Sequence, residues 1–250
     1  ASVKMNIPDT LRAFSQSLIQ RNKERKRLRG PAHLQYAIAD SISMLNPQVW
    51  QQLAQNSGFF MSHAYFAAME QVLPLNLSPR YALIFDGHGP DAEPVAAIYM
   101  QLADVSLAQA RPEADPDDAD GWRYPIEQLA QNARQRVLVC GNLLTFGQHG
   151  IAFAANTDLA LAWHGVAEVL YRVRQAEKLA GKTHFVMIKD LHDPFIEPAK
   201  QLENLSYRYV ETEPNMVLDL DASWKNHDDY LASLQSKYRS GVKNAVFKPL

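Results

Sequence analysis

The sequence predicts a mixed-sheet α/β or α+β domain preceded by a helical arm. Three observations point there. Short apolar runs of strand length alternate with longer segments of helical periodicity. Two of the strand-like runs flank a turn-rich connector, as antiparallel neighbours do. Finally, 250 residues that are 47% hydrophobic and 21% charged can fill a core without disulfides or metal staples.

The elements follow in order. Asp9 is placed to cap an amphipathic helix on which Leu11, Phe14, Leu18 and Ile19 recur at helical spacing, and Gly30-Pro31 ends it. Residues 33–45 alternate loosely, as a strand or a strand and turn would. Pro47 opens a short helix through Trp50 and Leu53. Ser62 caps a second helix carrying Tyr65, Phe66 and Met69, which Pro74 stops. The strands 81–85 and 95–102 enclose the hairpin-like connector 86–91. Val137 to Cys140 is the clearest buried strand; Gly141-Asn142 interrupts it before a second apolar stretch, 143–146. Asp158 caps the strongest helix, which ends near Gly181. A strand at 185–188, a brief helix at 196–205, an extended stretch at 207–220 and a final helix capped by Ser223 complete the order. No internal repeat is present.

Composition excludes several classes. A single cysteine, Cys140, rules out a disulfide framework and Cys-rich metal sites, and it fits a reducing compartment. No run reaches the roughly 18 apolar residues of a membrane span, and the N-terminal residues lack the apolar centre of a signal peptide. The expected location is cytoplasmic. The net charge of −2 hides an asymmetry, because residues 1–30 hold eight Lys and Arg against Asp9 and Glu24. Such a basic arm binds nucleic acid, an anionic lipid or the protein's own acidic body, or it is simply a solvated helix end. Residues 109–122 are acidic and Pro-rich; without EF-hand spacing they read as a solvated loop.

Most catalytic signatures are missing: there is no GxSxG elbow, P-loop, HExxH or GxGxxG. The histidines offer no metal-like spacing beyond His184 and His192, so no metal is expected. His88 and His149 lie beside glycines, either as turn residues or where a ligand approaches the backbone. Cys140, at the end of an apolar strand, reads as an inert core thiol. Two places are richer in chemistry. At Cys140-Gly141-Asn142 a buried strand breaks and an amide follows; a glycine there permits a bulge that exposes backbone groups. At Lys189-Asp190-Leu191-His192-Asp193-Pro194 ionisable residues follow a buried strand, where binding chemistry often sits, although a solvated loop is the plain alternative.

In their order these pieces resemble the GNAT N-acyltransferase superfamily, in its FemAB-like branch of predicted N-acyltransferases related to peptidoglycan biosynthesis. Four stretches carry the resemblance: Trp50 to Leu53 with Gly58 to Ser62 and Phe66 to Glu70; Val137 to Asn142; the helix 158–180 leading into His184 to Asp190; and Met216 to Leu220 followed by Tyr230, Leu231, Leu234 and Lys237 to Arg239. It spans roughly residues 33–248. It implies a GNAT-like mixed central sheet flanked by helices, with a basic arm at 1–30, an acyltransferase domain at 31–222 and a linking helix at 223–250 that would begin a second unit. Central strands would part and hold an activated acyl donor, here acyl-CoA, for attack by an amine acceptor. Asn142, Gly141 and Cys140 would contact the donor. Asp190 would be the base with His192 as its partner, and Tyr207 the proton donor to the leaving group. The junction Phe153 to Asp158 departs from the superfamily's Gln/Arg-x-x-Gly-x-Gly/Ala phosphate pattern. The alternatives are an aminoacyltransferase using charged tRNA, which would employ Arg21 to Arg29, and a non-catalytic GNAT-shaped binding module. Oligomeric state is not predicted.

Overall fold

The computed structural model describes residues 9–106, 134–212 and 218–247, and the chain divides into two units, Ala1–Tyr209 and Val210–Leu250. The acidic loop expected at 109–122 lies outside the described residues. In the first unit the order is α1 (Asp9–Arg29), β1 (Gln35–Ala39), α2 (Pro47–Ala54), α3 (His63–Met69), β2 (Leu77–Asp86), β3 (Glu93–Ser106), β4 (Arg134–Cys140), β5 (Ile151–Phe153), α4 (Leu159–Ala176), β6 (Thr183–Ile188) and α5 (Ile196–Ala199). The strands form one mixed sheet ordered β1-β2-β3-β4-β6, with β5 paired to β3. Among the described strands β4 and β6 run parallel and the other pairs are antiparallel.

Strand β3 shows why the sheet carries a core on each face. Its side chains alternate, as strand geometry requires. Ala96, Ile98, Met100 and Leu102 enter the core under α4, whereas Ala97 and Tyr99 enter the core under α2 and α3. Helix α4 supplies Ala162, Trp163, Val166, Val169, Leu170 and Val173, an apolar stripe at helical spacing. Asp158 caps it by accepting from the Ala160 N–H at 2.8 Å. On the other face Trp50 and Phe66 are fully buried with their rings edge-on at 5.6 Å, and the Trp50 indole donates to the Met61 carbonyl at 2.8 Å. The cap expected for α3 is in place, the Ser62 side chain accepting from the Tyr65 N–H. Helix α2, which opens at Pro47 as expected, has a cap that was not foreseen, the Asn46 side chain accepting from Gln48 and Val49.

Helix α1 joins the first unit through its last turn. Leu28 is buried, Arg27 donates to the Gln201 side chain at 3.0 Å, and His164 pairs with the Gly30 carbonyl at 3.0 Å. Glu168 of α4 accepts from the Ala32 N–H and the Tyr36 hydroxyl, both at 2.8 Å, and from Arg172. Burial would raise that carboxyl's pKa; these donors together outweigh it and hold it below the ordinary range.

Several expectations need correction. Leu18 and Ile19, taken as an apolar helix face, are exposed. Helix α3 ends at Met69, ahead of Pro74. Strand β2 begins at Leu77 and includes Pro79, which is tolerated because β1 covers only Tyr81–Phe85 and leaves that edge free of a ladder. Residues 143–146 are turns, not a strand, and β5 was not foreseen. In the second unit Ser223 lies in a turn with Asp221; Asn226 caps α6 (His227–Ser233), and a separate α7 (Ser236–Phe247) follows. No described helix is long and apolar enough to cross a membrane.

Candidate functional site

The site begins where β4 ends. Strands β4 and β6 stay paired as far as Cys140 and Ile188, after which the chain leaves the sheet at Gly141 and returns at Gly150 to form β5. Both ends of this excursion meet one residue of β3. The Tyr99 N–H donates to the Gly150 carbonyl at 2.8 Å, while the Tyr99 carbonyl accepts from the Gly141 N–H at 3.1 Å. The neck is correspondingly tight: a Cβ on Gly150 would lie 2.7 Å from the Gly141 nitrogen and 2.9 Å from the Cys140 carbonyl carbon. Gly141 itself has φ 141°, a conformation that favours glycine.

The return strand opens a gap. Tyr99 bonds to Gly150 and the Ala154 N–H bonds to the Val95 carbonyl at 2.9 Å, so alternate residues of this stretch face β3. The peptide groups of Ile151 and Phe153 therefore face the opposite edge, where among the described residues no strand pairs with them. The Phe153 ring packs on Trp163 at 5.4 Å and Phe195 at 5.3 Å. The indole N–H of Trp163 is buried and without a partner among the described residues.

The first half of the excursion is fastened by buried amides. Asn142 is fully buried; its side chain donates to the Tyr65 hydroxyl at 3.0 Å and accepts from the Leu144 N–H at 2.9 Å. Gln101 donates to the Tyr99 hydroxyl and accepts from the Leu143 N–H, both at 2.8 Å. In the second half His149 is half-buried. Its Nδ1 lies 3.0 Å from the Thr145 hydroxyl, and its ring centroid is 4.9 Å from that of Phe60. Burial first, and then the Lys189 cation, hold its pKa below the ordinary imidazole value against the pull of Asp190.

The residues expected from sequence fall into separate roles. Cys140 is fully buried and burial pushes its thiol far up, away from thiolate. The Asp190 carboxylate accepts from the Gly147 N–H at 2.9 Å and pairs with Lys189, whose ammonium also donates to the Thr145 carbonyl at 2.9 Å. The expected Asp190–His192 pair does not form. Asp190 has φ 56° and its carboxylate reaches the excursion, whereas His192 is exposed and its Nδ1 lies 2.8 Å from the Asp193 carbonyl. Tyr207 packs against the core that includes Cys140, and burial pushes its phenol up to about 12. Among the described residues no group of three His, Cys, Asp or Glu could hold a metal ion.

A cleft of about 400 Å³ lies at the start of α4, lined by Gln52, Gln55, Pro94, Asn156 and Thr157 among others, and by three carboxylates, Asp86, Glu93 and Asp158. The donor phosphates implied by the resemblance would meet like charge here.

No family model and no curated protein matches the chain. Solved structures similar to it include the BH1408 protein of Bacillus halodurans, at 11% identity over 74% of this chain and 99% of that one with a TM-score of 0.36. The ribosomal-protein-alanine N-acetyltransferase of Brucella melitensis gives 11% identity over 74% and 99% with a TM-score of 0.34. An aminoglycoside 6'-N-acetyltransferase of Acinetobacter haemolyticus gives 15% over 75% and 99% with a TM-score of 0.33. Likeness at this level says nothing of what this chain binds or does.

Sequence reasoning did not assign roles to Tyr65, Gln101, Thr145, Ile151 and Phe153, and it left His149 between two readings. One signal was available. Gln101 is the lone amide in the apolar run 95–103, and a buried amide requires partners. Nothing local marks the edge of β5, which exists only because the neck closes on Tyr99.

Proposed function

We propose that the first unit is a GNAT-like N-acyltransferase moving an acyl group from an activated thioester, acyl-CoA, to an amine. The observation that carries this reading is the parted sheet: the peptide groups of Ile151 and Phe153 face a gap beyond the end of the β4–β6 pairing. An acyl carbonyl lying along that edge accepts from these N–H groups, and they stabilise the oxyanion as the amine attacks. Holding donor and acceptor together supplies much of the acceleration. Trp163 adds a buried donor beside Phe153 that a ligand acceptor would satisfy. Cys140, Gly141 and Asn142 shape the neck, and Asp190 fixes the excursion through Gly147 and Lys189. Tyr207 stays protonated at neutral pH and is the proton donor to the leaving sulfur. His192 takes no part in the step.

Thermal unfolding of the full chain with CoA, acetyl-CoA and longer acyl-CoAs tests the donor. A ligand at 100 times its Kd adds about 2.7 kcal/mol of stability, a clear rise in Tm. A rise that depends on acyl length supports the reading, and a flat panel overturns an acyl-CoA donor. A charged tRNA is the second donor, favoured by the exposed Arg21, Lys23, Arg25 and Lys26 of α1. It predicts RNA binding that weakens steeply with salt. No response to either leaves a binding module.

A further inference from the structure

We propose that His149 takes the proton from the acceptor amine, and that this amine carries an aryl or alkyl group seated against Phe59 and Phe60. The inference rests on the acyl-transfer reading and names the acceptor side of the same site. The imidazole is oriented for the task. Thr145 Oγ1 lies 3.0 Å from Nδ1; the proposal places the ring proton on Nδ1, donated to that hydroxyl, so that the lone pair is on Nε2. Nε2 has no hydrogen-bond partner among the described residues, and the ring is only half-buried. Phe60 packs on the ring, and the lack of a side chain at Gly147 keeps its edge uncrowded, since a Cβ there would come within 3.2 Å of Cε1.

The charged groups facing the ring are Lys189 and Asp190, from the segment after β6; the turn Phe59–Met61 brings Phe60 and no charge. Burial and then Lys189 favour the neutral ring, the form a base needs, against the pull of Asp190. Asp190 Oδ2 is already engaged by the Gly147 N–H and Lys189, and it serves to hold the excursion. Position supports the assignment too. His149 precedes Ile151 by two residues, so one stretch of backbone supplies both the base and the N–H that faces the gap.

The surroundings set the substrate class. Phe59 and Phe60 are 68% and 40% exposed, and Leu144 beside Thr145 is exposed as well. Phe59, Phe60 and Tyr65 form an edge-to-face trio with centroids 5.3 to 5.7 Å apart. Such an apolar wall bordering a ring nitrogen with a free lone pair fits an amine with a hydrophobic body. The neutral amine attacks the thioester carbonyl and forms the C–N bond, its proton passes to His149 Nε2, and the C–S bond breaks. Tyr207 protonates the departing sulfur and regains its proton from solvent, while the imidazolium releases its own. The products are an amide and a thiol.

Histidine-labelled full-length chain titrated with phenethylamine, without donor, is observed by NMR, with His149→Gln assigning the resonance. The expected result is a shift of the His149 ring signals that Phe60→Ser weakens. No response at His149 overturns the proposal whether or not a donor is found. With acetyl-CoA, phenethylamine is expected to show at least a tenfold lower KM than ethylamine. His149→Gln is expected to lower kcat by about 100-fold, remove the acidic limb of the pH profile, and leave the donor-induced rise in Tm unchanged. An unchanged kcat and pH profile in His149→Gln overturns the base assignment, and equal KM values for the two amines overturn the substrate class. Amine binding at His149 with no acyl donor bound removes both the transfer reading and the proton-taking role, keeping only the amine site.

Discussion

The two halves of the excursion between β4 and β5 are built from similar residues and behave differently. Around Asn142 and Gln101 the side-chain amides bond to Tyr65, Tyr99, Leu143 and Leu144, and the amides lie at zero exposure. Around Thr145 and His149 the bonds stop one short, leaving a half-buried imidazole with a spare nitrogen beside exposed aromatic rings. The difference teaches that buried, satisfied polar groups fix where a segment sits, whereas reactivity needs an unfilled valence that solvent or substrate can reach. Fastening the first half is what allows the second to keep an unsatisfied group in a fixed place.

A ranked series of substitutions tests this contrast, and the largest effect belongs to the shared neck. Gly150→Ala forces a Cβ against the backbone of Gly141 and Cys140, neither of which is a yielding side-chain end. A loss of about 3 kcal/mol is expected in urea unfolding, at the upper end for overpacking. A loss below about 1 kcal/mol would mean the neck is not a fixed point. Next comes Asn142→Ala, which takes the acceptor from the part-buried Leu144 N–H, empties a fully buried side-chain position and removes a donor from Tyr65. Its expected cost is about 2 kcal/mol, and a cycle with Gln101→Ala should show coupling between the two amides. Equal losses from Asn142→Ala and Thr145→Val would erase the contrast, since Thr145 bonds at a half-buried site where about 0.5 to 1 kcal/mol is expected. The smallest effect is on pH dependence. The folded pKa of His149 lies below its ordinary 6.5, so the unfolded chain binds the proton first. Its contribution to stability is complete above pH 6.5 and is lost as pH falls toward the folded value. The urea midpoint of His149→Gln should therefore decline less than that of the parent over that interval.

Much of the fold could be read from residues that act locally. Ser62 and Asp158 are caps whose partners lie two or three residues away, and Pro47 stands in the first turn of α2. The β2–β3 hairpin was legible for the same reason. Elements decided at long range were not. Three residues, Ile151 to Phe153, are too few to declare a strand by periodicity and become one by pairing with β3. Leu143, Leu144 and Phe146 read as an apolar strand but turn outward, because Gln101 and Asn142 hold the backbone N–H groups of 143 and 144. The candidate site is such a case. Asp190 and Asn142 were singled out for their chemistry, yet each is committed to a partner more than 40 residues distant, Gly147 and Tyr65. His149 was weighed and left open, because its value lies in what stands around it.

The neck at Tyr99 separates two kinds of inheritance. Because a single β3 residue receives both ends of the excursion, sequence between Gly141 and Gly150 can lengthen, shorten or be exchanged without moving the register of any strand. The cost of doubling such a loop is only about 0.6 kcal/mol, since its ends are already held together. A scaffold arranged this way can acquire a new substrate preference by transplanting the eight residues between the two glycines, with every strand register unaltered.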